Sequence, residues 1–593
     1  MDALEDRLED MRECVYVYRD YGDSENHFSQ RAKMMGGNHV ELDELQEDCT
    51  DSPHSGDTCI RCTQNVSGTG WGGWMFLNGY MPEGTTSPAI NDHTSVGAGM
   101  NLTGATELRF WARGEKGGEI LDFSTMGFDW GVDTSMPLSD AADSSNKASL
   151  RNVKLTTEWK EYSIPIDRDD ADLSCIANGF SFAMDDGENA PLFSDVAPME
   201  KNAVFYLDDI RFVGVIQSAH EAPMMLRSYD TDAVEIANAA FTYDNALAAM
   251  AFLSEGKTTQ AEEIIDALCY AIENDRFESG RIRTAYAAGD ISPAPGWGEG
   301  AKLPGWYDTS SAKWFEDSYQ VGCNAGNTSY AALALLHYAA MAQSGDASGL
   351  DPARGERCLK DAQLLMEWVL DECSDGGDGF TAGHEGWPEN GPSGMTKLTY
   401  KSTEHNIDAY AAFAELYQLT GDERYHEASE SALRFIKSMY DEDAKVFLTG
   451  TGPDGITPEV GNVVLDAQVW AALALGDDFK PYEAALEQLD SMRTDLGGYR
   501  FHPCDDEGFW CEGTAFTALM YAQRGDLGRA SESFAALDAV QLGNGMFPAA
   551  TMEGLTTGIE LSDGSPWLYG TSPHVAPTAW YIMACNGFNP YTF

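Results

Sequence analysis

Carboxylates and histidines stand at the start of apolar helical segments in the second half of the chain. The richest motif is KSTEHNID, Lys401–Asp408. Its Ser-Thr pair can cap a helix, which puts Glu404 and His405 in the first turn and Asp408 one turn further along the same face. Carboxylates in such a place can donate and accept protons, the chemistry that cleaves glycosidic bonds. An acid at a helix start is also an ordinary capping residue, so one motif leaves both interpretations open.

Three further motifs repeat this pattern. They are WFED, which ends at Asp317, WCEGT, which contains Glu512, and LDAQVW, which contains Asp466 and Trp470. Each has a structural alternative: a surface acidic turn, a partner of the helix dipole, or hydrogen bonds between helices. Several such sites on one face are harder to explain by capping alone, so together they predict a cleft.

The loops that carry these motifs are also rich in tryptophan and tyrosine. Aromatic rings stack on the apolar faces of sugar rings, and carboxylates, histidines and lysines bind the hydroxyls, so the pattern predicts a carbohydrate site. The sequence has no GxSxG, HExxH or P-loop motif and no GxGxxG after a strand, which argues against those chemistries. The predicted substrate-binding residues are Trp306, Trp314, His384, Trp387, Lys401, His405, Asp408, Asp466, Trp470, Trp510, Trp567 and His574.

Helical periodicity positions these motifs. From about residue 224 onward, eleven segments carry apolar residues at helical spacing, and a short one around 230–240 would make twelve. Alanine-rich segments without a polar face alternate with amphipathic ones, as inner and outer helices would. Twelve such helices predict an (α/α)6 toroid. A helical solenoid is the alternative, but the long loops, above all 275–325, favour a toroid whose loops build a cleft.

The first part of the chain has a different period. Short alternating runs such as ELRFWARG (107–114) and GFSFAM (179–184), separated by turn residues, predict an antiparallel β-sandwich of the jelly-roll kind. The fold class is therefore a β-sandwich followed by an all-α toroid. The predicted divisions are an N-terminal extension at 1–13, the sandwich at 14–216, a linker at 217–228 and the toroid at 229–593.

Composition restricts the partners. The 593 residues contain 96 Asp and Glu against 37 Lys and Arg, a net charge of −59 that repels phosphate backbones and anionic lipid. The acids are scattered, as in a solvated surface suited to high salt or acidic surroundings, although cation-binding clusters are an alternative. No apolar run is long enough to span a membrane, and the acidic start lacks a signal-peptide core, which indicates either a trimmed chain or one without a signal peptide. Twelve cysteines are few, and the CxxC at Cys59–Cys62 lacks a second half for zinc, which favours a local disulfide or buried thiols.

The motifs YDNALAAMAF, GRIRTAYAAGD, LPGWYD, KSTEHNIDAYAAF, LDAQVWAALAL, WCEGTAF and HVAPTAWYIMACNGFNPY, over about 240–592, resemble a group of prokaryotic (α/α)6-toroid proteins classed as glycoside hydrolases. The resemblance implies fold more than substrate, because related toroids include inverting glucanases and polysaccharide lyases. The first part, which ends FYLDDIR, is similar to jelly-roll carbohydrate-binding modules. That similarity implies a structural calcium held by Asp208 or Asp209 on the last strand, with Asp20, Asp23 and Asn26 completing an all-oxygen site.

Three functions follow as hypotheses. The first is an extracellular or cell-surface glycoside hydrolase that acts on a poly- or oligosaccharide by inversion, with Glu404 as general acid, Asp317 as base and Glu512 in reserve; no organic cofactor is expected. The second is a polysaccharide lyase, which needs a Tyr or His base and cations such as Arg281 or Arg283 to neutralise a uronate; the acidic chain disfavours it. The third is a non-catalytic, structural or self-assembling glycan-binding protein, which salt-bridged carboxylates in the cleft would favour.

Overall fold

The computed structural model describes most of the chain. The described residues are 1, 3–5, 7–8, 14–21, 26, 28–36, 43–77, 102, 104–126, 147–166, 173, 176, 178–214, 223–231, 233–292, 300–308, 313–344, 350–391, 393–461, 463–504, 506–560 and 565–593. Within these ranges, no helix is both long and apolar enough to cross a membrane. All ten cysteines whose side chains are described carry free thiols.

Two antiparallel sheets form the first part. One has the strand order β3-β4-β11-β6-β9, with β1 also paired to β11, and the other has the order β2-β5-β10-β7-β8. Burial alternates along β6, so one face points into a shared apolar core. The strands are β1 (Cys14–Tyr18), β2 (Ser29–Gly36), β3 (Glu44–Cys49), β4 (Cys59–Asn65), β5 (Trp71–Leu77), β6 (Glu107–Gly114), β7 (Ile120–Thr125), β8 (Ala148–Lys154), β9 (Lys160–Pro165), β10 (Asn178–Asp185) and β11 (Asn202–Val213). A single helical turn follows β10 at Asp186–Asn189.

Six helices form an inner ring in the second part. Each packs against the next in chain order, and the last packs back against the first, which closes the ring. Their side chains are buried on nearly all sides, as the alanine-rich composition predicts. The inner helices are α1 (Thr242–Ser254), α3 (Ala325–Ser344), α5 (Thr403–Thr420), α7 (Leu465–Leu475), α9 (Cys511–Gln523) and α11 (Val575–Asn586).

Amphipathic helices cover the ring from outside. Each packs against the inner helix that precedes it in the chain, so the inner and outer helices alternate. They are α2 (Thr258–Glu273), α4 (Pro352–Glu372), α6 (Glu423–Ser438), α8 (Ala484–Glu487) and α10 (Leu527–Asp538). The fourth of them, α8, is a single turn between 3₁₀ segments at Gly476–Tyr482 and Gln488–Ser491, because Pro481 interrupts the helix.

The prediction of a helix around residues 230–240 is wrong. Residues 234–238 form turns, and Ala239–Phe241 is a short strand that pairs with Ala285–Ala287. Val234 is 50% exposed, so the segment does not bury the apolar face that a helix there would need.

The sixth outer position is occupied by the first residues of the chain. Residues 3–5 and 7–8 are helical, and Leu4 and Leu8 are buried in the core of the helical ring. The carboxylate of Glu5 accepts hydrogen bonds from Lys257 and Gln260 at the start of α2. The segment therefore belongs to the toroid, although β1 of the sandwich follows it in sequence.

Short antiparallel strands line the loops between the helices. The pairs are Met224–Met225 with Gly289–Asp290, Trp306–Asp308 with Lys313–Phe315, Tyr440–Asp441 with Val446–Phe447, Phe547–Pro548 with Pro573–His574, and Leu555–Glu560 with Pro566–Tyr569; Cys323–Asn324, Gly383–Gly386 and Met395–Leu398 form a three-stranded sheet.

Candidate active site

The first turns of the inner helices converge on one mouth of the ring. Glu404 begins α5, Asp466 begins α7 and Glu512 begins α9. Asp244 occupies the same place in α1 and accepts a hydrogen bond from His574, the residue before α11, at 3.1 Å between Oδ2 and Nε2. The sequence motifs that looked like separate capping sites thus form one acidic cluster.

Glu404 is the least supported carboxylate of the cluster. It is half-buried, and within the described part of the chain no side chain or backbone N–H donates a hydrogen bond to its carboxylate. Burial raises its pKa well above the usual value, and the charges of Asp466 and Glu512 raise it further. These effects favour the neutral form of Glu404, while its place in the first turn of α5 favours the ionised form.

Glu512 is held by donors. Its Oε1 accepts a hydrogen bond from the Tyr243 hydroxyl at 2.5 Å, and the Trp580 indole N–H donates to that hydroxyl at 2.9 Å. Burial raises the pKa of Glu512 to about 8, and the hydrogen bonds from Tyr243 and Trp580 oppose the rise. A carboxylate that accepts hydrogen bonds is stabilised in its ionised form relative to one that does not.

Asp466 lies on α7, between the helices of the other two acids. It is 5% exposed, and its Oδ1 accepts a hydrogen bond from the Ala467 N–H at 2.5 Å. Burial raises its pKa to about 7, and the backbone hydrogen bond opposes this effect. Its charge is one of the two that raise the pKa of Glu404.

Three acids of the cluster have no Lys or Arg partner. Among the described residues, no Lys or Arg forms an ion pair with Glu404, Asp466 or Glu512. The described residues include no group of three or more His, Cys, Asp or Glu arranged to hold a metal ion.

Two of the predicted sugar-binding tryptophans are buried. Trp470 is 3% exposed inside the ring, with its centroid 6.1 Å from that of Trp580, and Trp510 is 3% exposed and stacks on Tyr569 at 5.6 Å. Both indoles pack against other aromatic side chains, so neither offers an exposed face to a sugar ring.

The other tryptophans lie in the surrounding loops. Trp567 is 38% exposed on the hairpin that also carries Tyr569. Trp306 stacks on Phe315, and the Trp387 indole donates to Glu316 at 2.7 Å. Trp314 lies in the strand Lys313–Phe315, but its side chain is outside the described residues.

Tyrosines near the acids were missed by the sequence analysis. Tyr319 is 48% exposed and Tyr400 is 37% exposed, and Glu404 influences the ionisation of both phenols. Tyr569 lies within electrostatic range of Glu404, Asp466 and Glu512 together. Tyr400 directly precedes the KSTEHNID motif, so its position was a usable signal; Tyr569 reaches the site only through the folded hairpin.

Asp317 is held in a turn. Its Oδ1 accepts hydrogen bonds from the N–H groups of Tyr319 and Gln320 at 2.9 and 3.0 Å. Its charge raises the pKa of Glu385, which burial also raises. The charges that raise the pKa of Glu404 include those of Asp466 and Glu512, and the role of Asp317 as base stays a prediction.

The predicted basic residues point to other partners. Lys401 is buried and donates from Nζ to Asp375 and to the Asp378 carbonyl, both at 2.8 Å. Burial lowers the pKa of His405 and of His384 to about 4, so both rings are neutral. The ring of His405 lies against Gly326 of α3, where an added Cβ would come within 2.4 Å.

Asp408 lies one turn below Glu404. It is fully buried, and its Oδ1 accepts a hydrogen bond from the Tyr591 hydroxyl at 3.1 Å. Burial raises its pKa well above the usual value, the charge of Glu404 raises it further, and the Tyr591 hydrogen bond opposes the rise. No part of Asp408 is exposed at the surface, and its contact with substrate stays a prediction.

The residues proposed for calcium are engaged by the protein. Asp208 accepts backbone hydrogen bonds from His54, Ser55 and Asp209, and Asp209 pairs with Arg211. The other members of the set behave likewise: Asp20 accepts from the N–H groups of Asp57 and Thr58, Asn26 donates to the Asp20 carbonyl, and Asp23 lies outside the described residues. The described members of this set do not form an oxygen cage as placed, and calcium binding stays a prediction.

The chain matches no protein-family model and no curated protein. Several solved structures are similar to it at low identity. They are the cellobiose 2-epimerase from Bacillus thermoamylovorans B4167 (10% identity, TM-score 0.42, covering 62% of this chain and 93% of that one), an α-amylase from Clostridium perfringens (9%, 0.43, 63% and 94%) and a wild-type glycosidase (12%, 0.40, 63% and 94%). At these values the similarity does not bear on what the chain does.

Proposed function

We propose that the chain is a glycoside hydrolase that acts by inversion at the mouth of the helical ring. The observation that supports it is the cluster of Glu404, Asp466 and Glu512, buried to different degrees and without a basic partner among the described residues. Glycoside hydrolysis passes through an oxocarbenium-like transition state, and a negative site stabilises that positive charge.

Glu404 is the general acid and Glu512 the general base. Above the pKa of Glu512, at about 8, protonated Glu404 gives its proton to the oxygen of the leaving sugar, while ionised Glu512 takes a proton from water, whose oxygen attacks the anomeric carbon from the opposite face. The two carboxyls differ in their hydrogen-bond donors, and this difference supports the division of roles. Glu512 accepts a hydrogen bond from Tyr243, whereas Glu404 has no donor in the described part of the chain.

Their places on the ring fit inversion. Neighbouring helix axes lie about 8–10 Å apart. Helices α5 and α9 are separated by one helix of the ring, α7, so the axes that carry Glu404 and Glu512 lie about 14–17 Å apart and leave room between the two side chains. Inverting enzymes hold their carboxyls ~6.5–9.5 Å apart to admit a water. Asp466, on the helix between them, keeps the proton on Glu404 by its negative charge.

A lyase is less well supported. Its transition state carries negative charge on a uronate, which the cluster would repel. The cations that would neutralise a uronate are engaged elsewhere: Arg283 pairs with Asp275 and Glu389, and Arg281 with Glu278. A purely structural glycan-binding role is not favoured either. Such a role predicts carboxylates engaged in salt bridges, and Glu404, Asp466 and Glu512 form none with the Lys and Arg residues of the described ranges.

We propose that the sandwich is a jelly roll that binds glycan. In support, β4 pairs with β11, β5 with β10, β6 with β9 and β7 with β8, as in one long hairpin wound into two sheets. A cavity of about 250 Å³ opens on the outer face of the second sheet, next to Trp71, which is 42% exposed. An exposed indole beside a polar trough suits a sugar ring. A polysaccharide substrate outside the cell is part of this proposal.

Product stereochemistry tests the mechanism. The chain is first incubated with a panel of neutral glycans, and the one it cleaves is then followed by proton NMR from the first minutes. We expect the newly formed reducing end to appear first with the anomeric configuration opposite to that of the cleaved bond. Retention of configuration would reject the assignment of Glu512 as a base that activates water.

A further inference from the structure

The segment that follows α11 passes under the ring, at the end opposite the acidic mouth. Gly587 ends α11 in a left-handed conformation, and the Asn589 side chain donates to the Leu473 carbonyl at the end of α7. The Pro590 carbonyl accepts a hydrogen bond from His337 Nε2 at 3.1 Å, in the second half of α3. These contacts fix the segment to at least two inner helices.

Tyr591 enters the ring from this side. It is 2% exposed, and its centroid lies 5.9 Å from that of Tyr330 and 6.0 Å from that of Trp470. Its hydroxyl is 2.6 Å from the Tyr330 hydroxyl and donates to Asp408 Oδ1 at 3.1 Å. A phenol from outside the helical repeat thereby reaches the carboxylate directly below Glu404.

Two routes connect Tyr591 with the mouth of the ring. The first runs through Asp408 to Glu404, one turn above it on α5. The second runs through Tyr330, whose ring meets that of Tyr243 edge to face at 4.6 Å, and Tyr243 donates to Glu512. No other described residue donates a hydrogen bond to Asp408, whose Oδ2 is buried without a partner.

We infer that Tyr591 is a positioning residue whose hydrogen bond to Asp408 favours the arrangement in which Glu404, rather than Asp408, carries the proton of the pair. Carboxyls one helical turn apart in a buried site do not ionise independently, and the one that accepts a hydrogen bond is the better placed to carry the charge. This inference rests on the proposed role of Glu404 as general acid. Without the Tyr591 hydroxyl, the proton moves to Asp408 and Glu404 becomes a carboxylate that cannot donate.

The other groups around the pair do not supply this bias. Asp466 acts on both carboxyls and Glu512 acts on Glu404, but both are acids that favour the protonated form of their neighbours. Among the described residues, the other titratable side chains whose ionisation Glu404 or Asp408 is seen to influence, besides Tyr591, are phenols: Tyr319, Tyr330, Tyr400 and Tyr569.

The test compares Tyr591→Phe with Tyr581→Phe. Tyr581 is only ten positions before Tyr591 in the sequence and also donates to an aspartate, Asp538, but on the outer surface of the ring. We expect Tyr591→Phe to move the alkaline limb of kcat to lower pH by about one unit. Its kcat should fall for glycosides with poor leaving groups and change little for activated ones, which need no proton, while KM is unaffected. Tyr581→Phe should match the wild type in the pH of the alkaline limb, in kcat for both kinds of glycoside and in KM.

A second measurement needs no substrate and so separates this inference from the proposed function. Infrared spectra of the resting protein show the carbonyl stretch of a neutral carboxyl. Difference spectra against the unsubstituted protein isolate the contribution of one side chain to this band. In the wild type, Glu404→Gln should lose one component of the band and Asp408→Asn should lose none. In the Tyr591→Phe background, Asp408→Asn should lose the component instead. An unchanged assignment in Tyr591→Phe, or a pH profile and leaving-group dependence equal to those of the wild type, would overturn the inference.

Discussion

Burial of Glu404, Asp466 and Glu512 at the mouth of the ring lowers the free energy of unfolding at high pH, where these acids ionise. Their pKa values are raised, to about 7 for Asp466 and about 8 for Glu512, because buried charge is poorly solvated. The unfolded chain titrates such groups near about pH 4. Between about pH 4 and 8 the folded state therefore binds more protons than the unfolded state.

This difference predicts how stability depends on pH. Where the folded state binds more protons, the free energy of unfolding falls as pH rises. In Glu512→Gln the side chain at position 512 is an amide, which does not titrate. The free energy of unfolding of this variant should therefore fall less between about pH 4 and 8 than that of the wild type. Denaturant melts across this range measure the slopes, and the exposed Glu487→Gln serves as control. Equal slopes for Glu512→Gln and the wild type would mean that Glu512 is not a buried acid of raised pKa.

At the scale of elements, the start of α3 is shaped around the start of α5. Gly326 is the second residue of α3, and a Cβ there would lie 2.4 Å from the His405 ring. Alanine normally stabilises a helix relative to glycine by about 0.5–1 kcal/mol. An alanine at position 326 must displace the ring of His405, and His405 directly follows Glu404 in the sequence.

We therefore expect Gly326→Ala to lower kcat at least tenfold while the protein stays folded. Gly528 is the matched control, because it is the second residue of α10 and its added Cβ would meet only a carboxylate oxygen of Asp526, at 3.5 Å. Gly528→Ala should keep full activity. Steady-state kinetics on the cleaved glycan decide the matter, and equal activity in both variants would show that His405 moves without consequence for Glu404.

Periodicity predicted the elements better than it predicted the site. The alternating run at 107–114 is β6, and the alanine-rich segments are the inner helices. The acids Glu404, Asp466 and Glu512 could be expected together because inner helices of a ring start on the same side. The turn that holds Asp317 could not be predicted, since its hydrogen bonds to Tyr319 and Gln320 are visible only in the fold. Tyr591 gave no signal, because its contact with Asp408 spans 183 residues of sequence.

At the scale of the whole molecule, the toroid depends on residues that precede the sandwich. Leu4 is fully buried in the toroid core, and Leu8 is 1% exposed. Leu4→Ala removes buried methyl groups and leaves a cavity, which costs about 2–5 kcal/mol for a leucine.

Leu4→Ala should therefore lower the melting temperature of the helical ring. Leu527→Ala, at a leucine that is 69% exposed, should leave it unchanged. Far-ultraviolet circular dichroism at 222 nm follows the helices during the melt. If Leu4→Ala and Leu527→Ala melted alike, the first residues would be an appendage rather than part of the ring.

The net charge of −59 predicts a salt dependence of the whole chain. Like charges repel more strongly in the compact state, and the Debye length shrinks from ~30 Å at 0.01 M salt to ~3 Å at 1 M. Exposed ion pairs oppose this trend, but each contributes only ~0–1 kcal/mol. The melting temperature should rise with sodium chloride from 0.01 to 1 M. A flat or falling midpoint would mean that bound cations or protons already neutralise the acids.

The claim that the acidic mouth hydrolyses glycosidic bonds is tested most directly by one assay with two variants. The wild type, Glu404→Gln and Glu415→Gln are each incubated with a panel that contains neutral glucans and, separately, acidic uronans. New reducing ends measure bond cleavage, and absorbance at 235 nm detects the unsaturated products of a lyase. Glu415 is the matched control, since it is a buried glutamate on the same helix, three turns away from the mouth. We predict reducing ends without 235 nm absorbance for the wild type and Glu415→Gln, and none for folded Glu404→Gln. Turnover by Glu404→Gln near that of the wild type, or unsaturated products, would contradict the account.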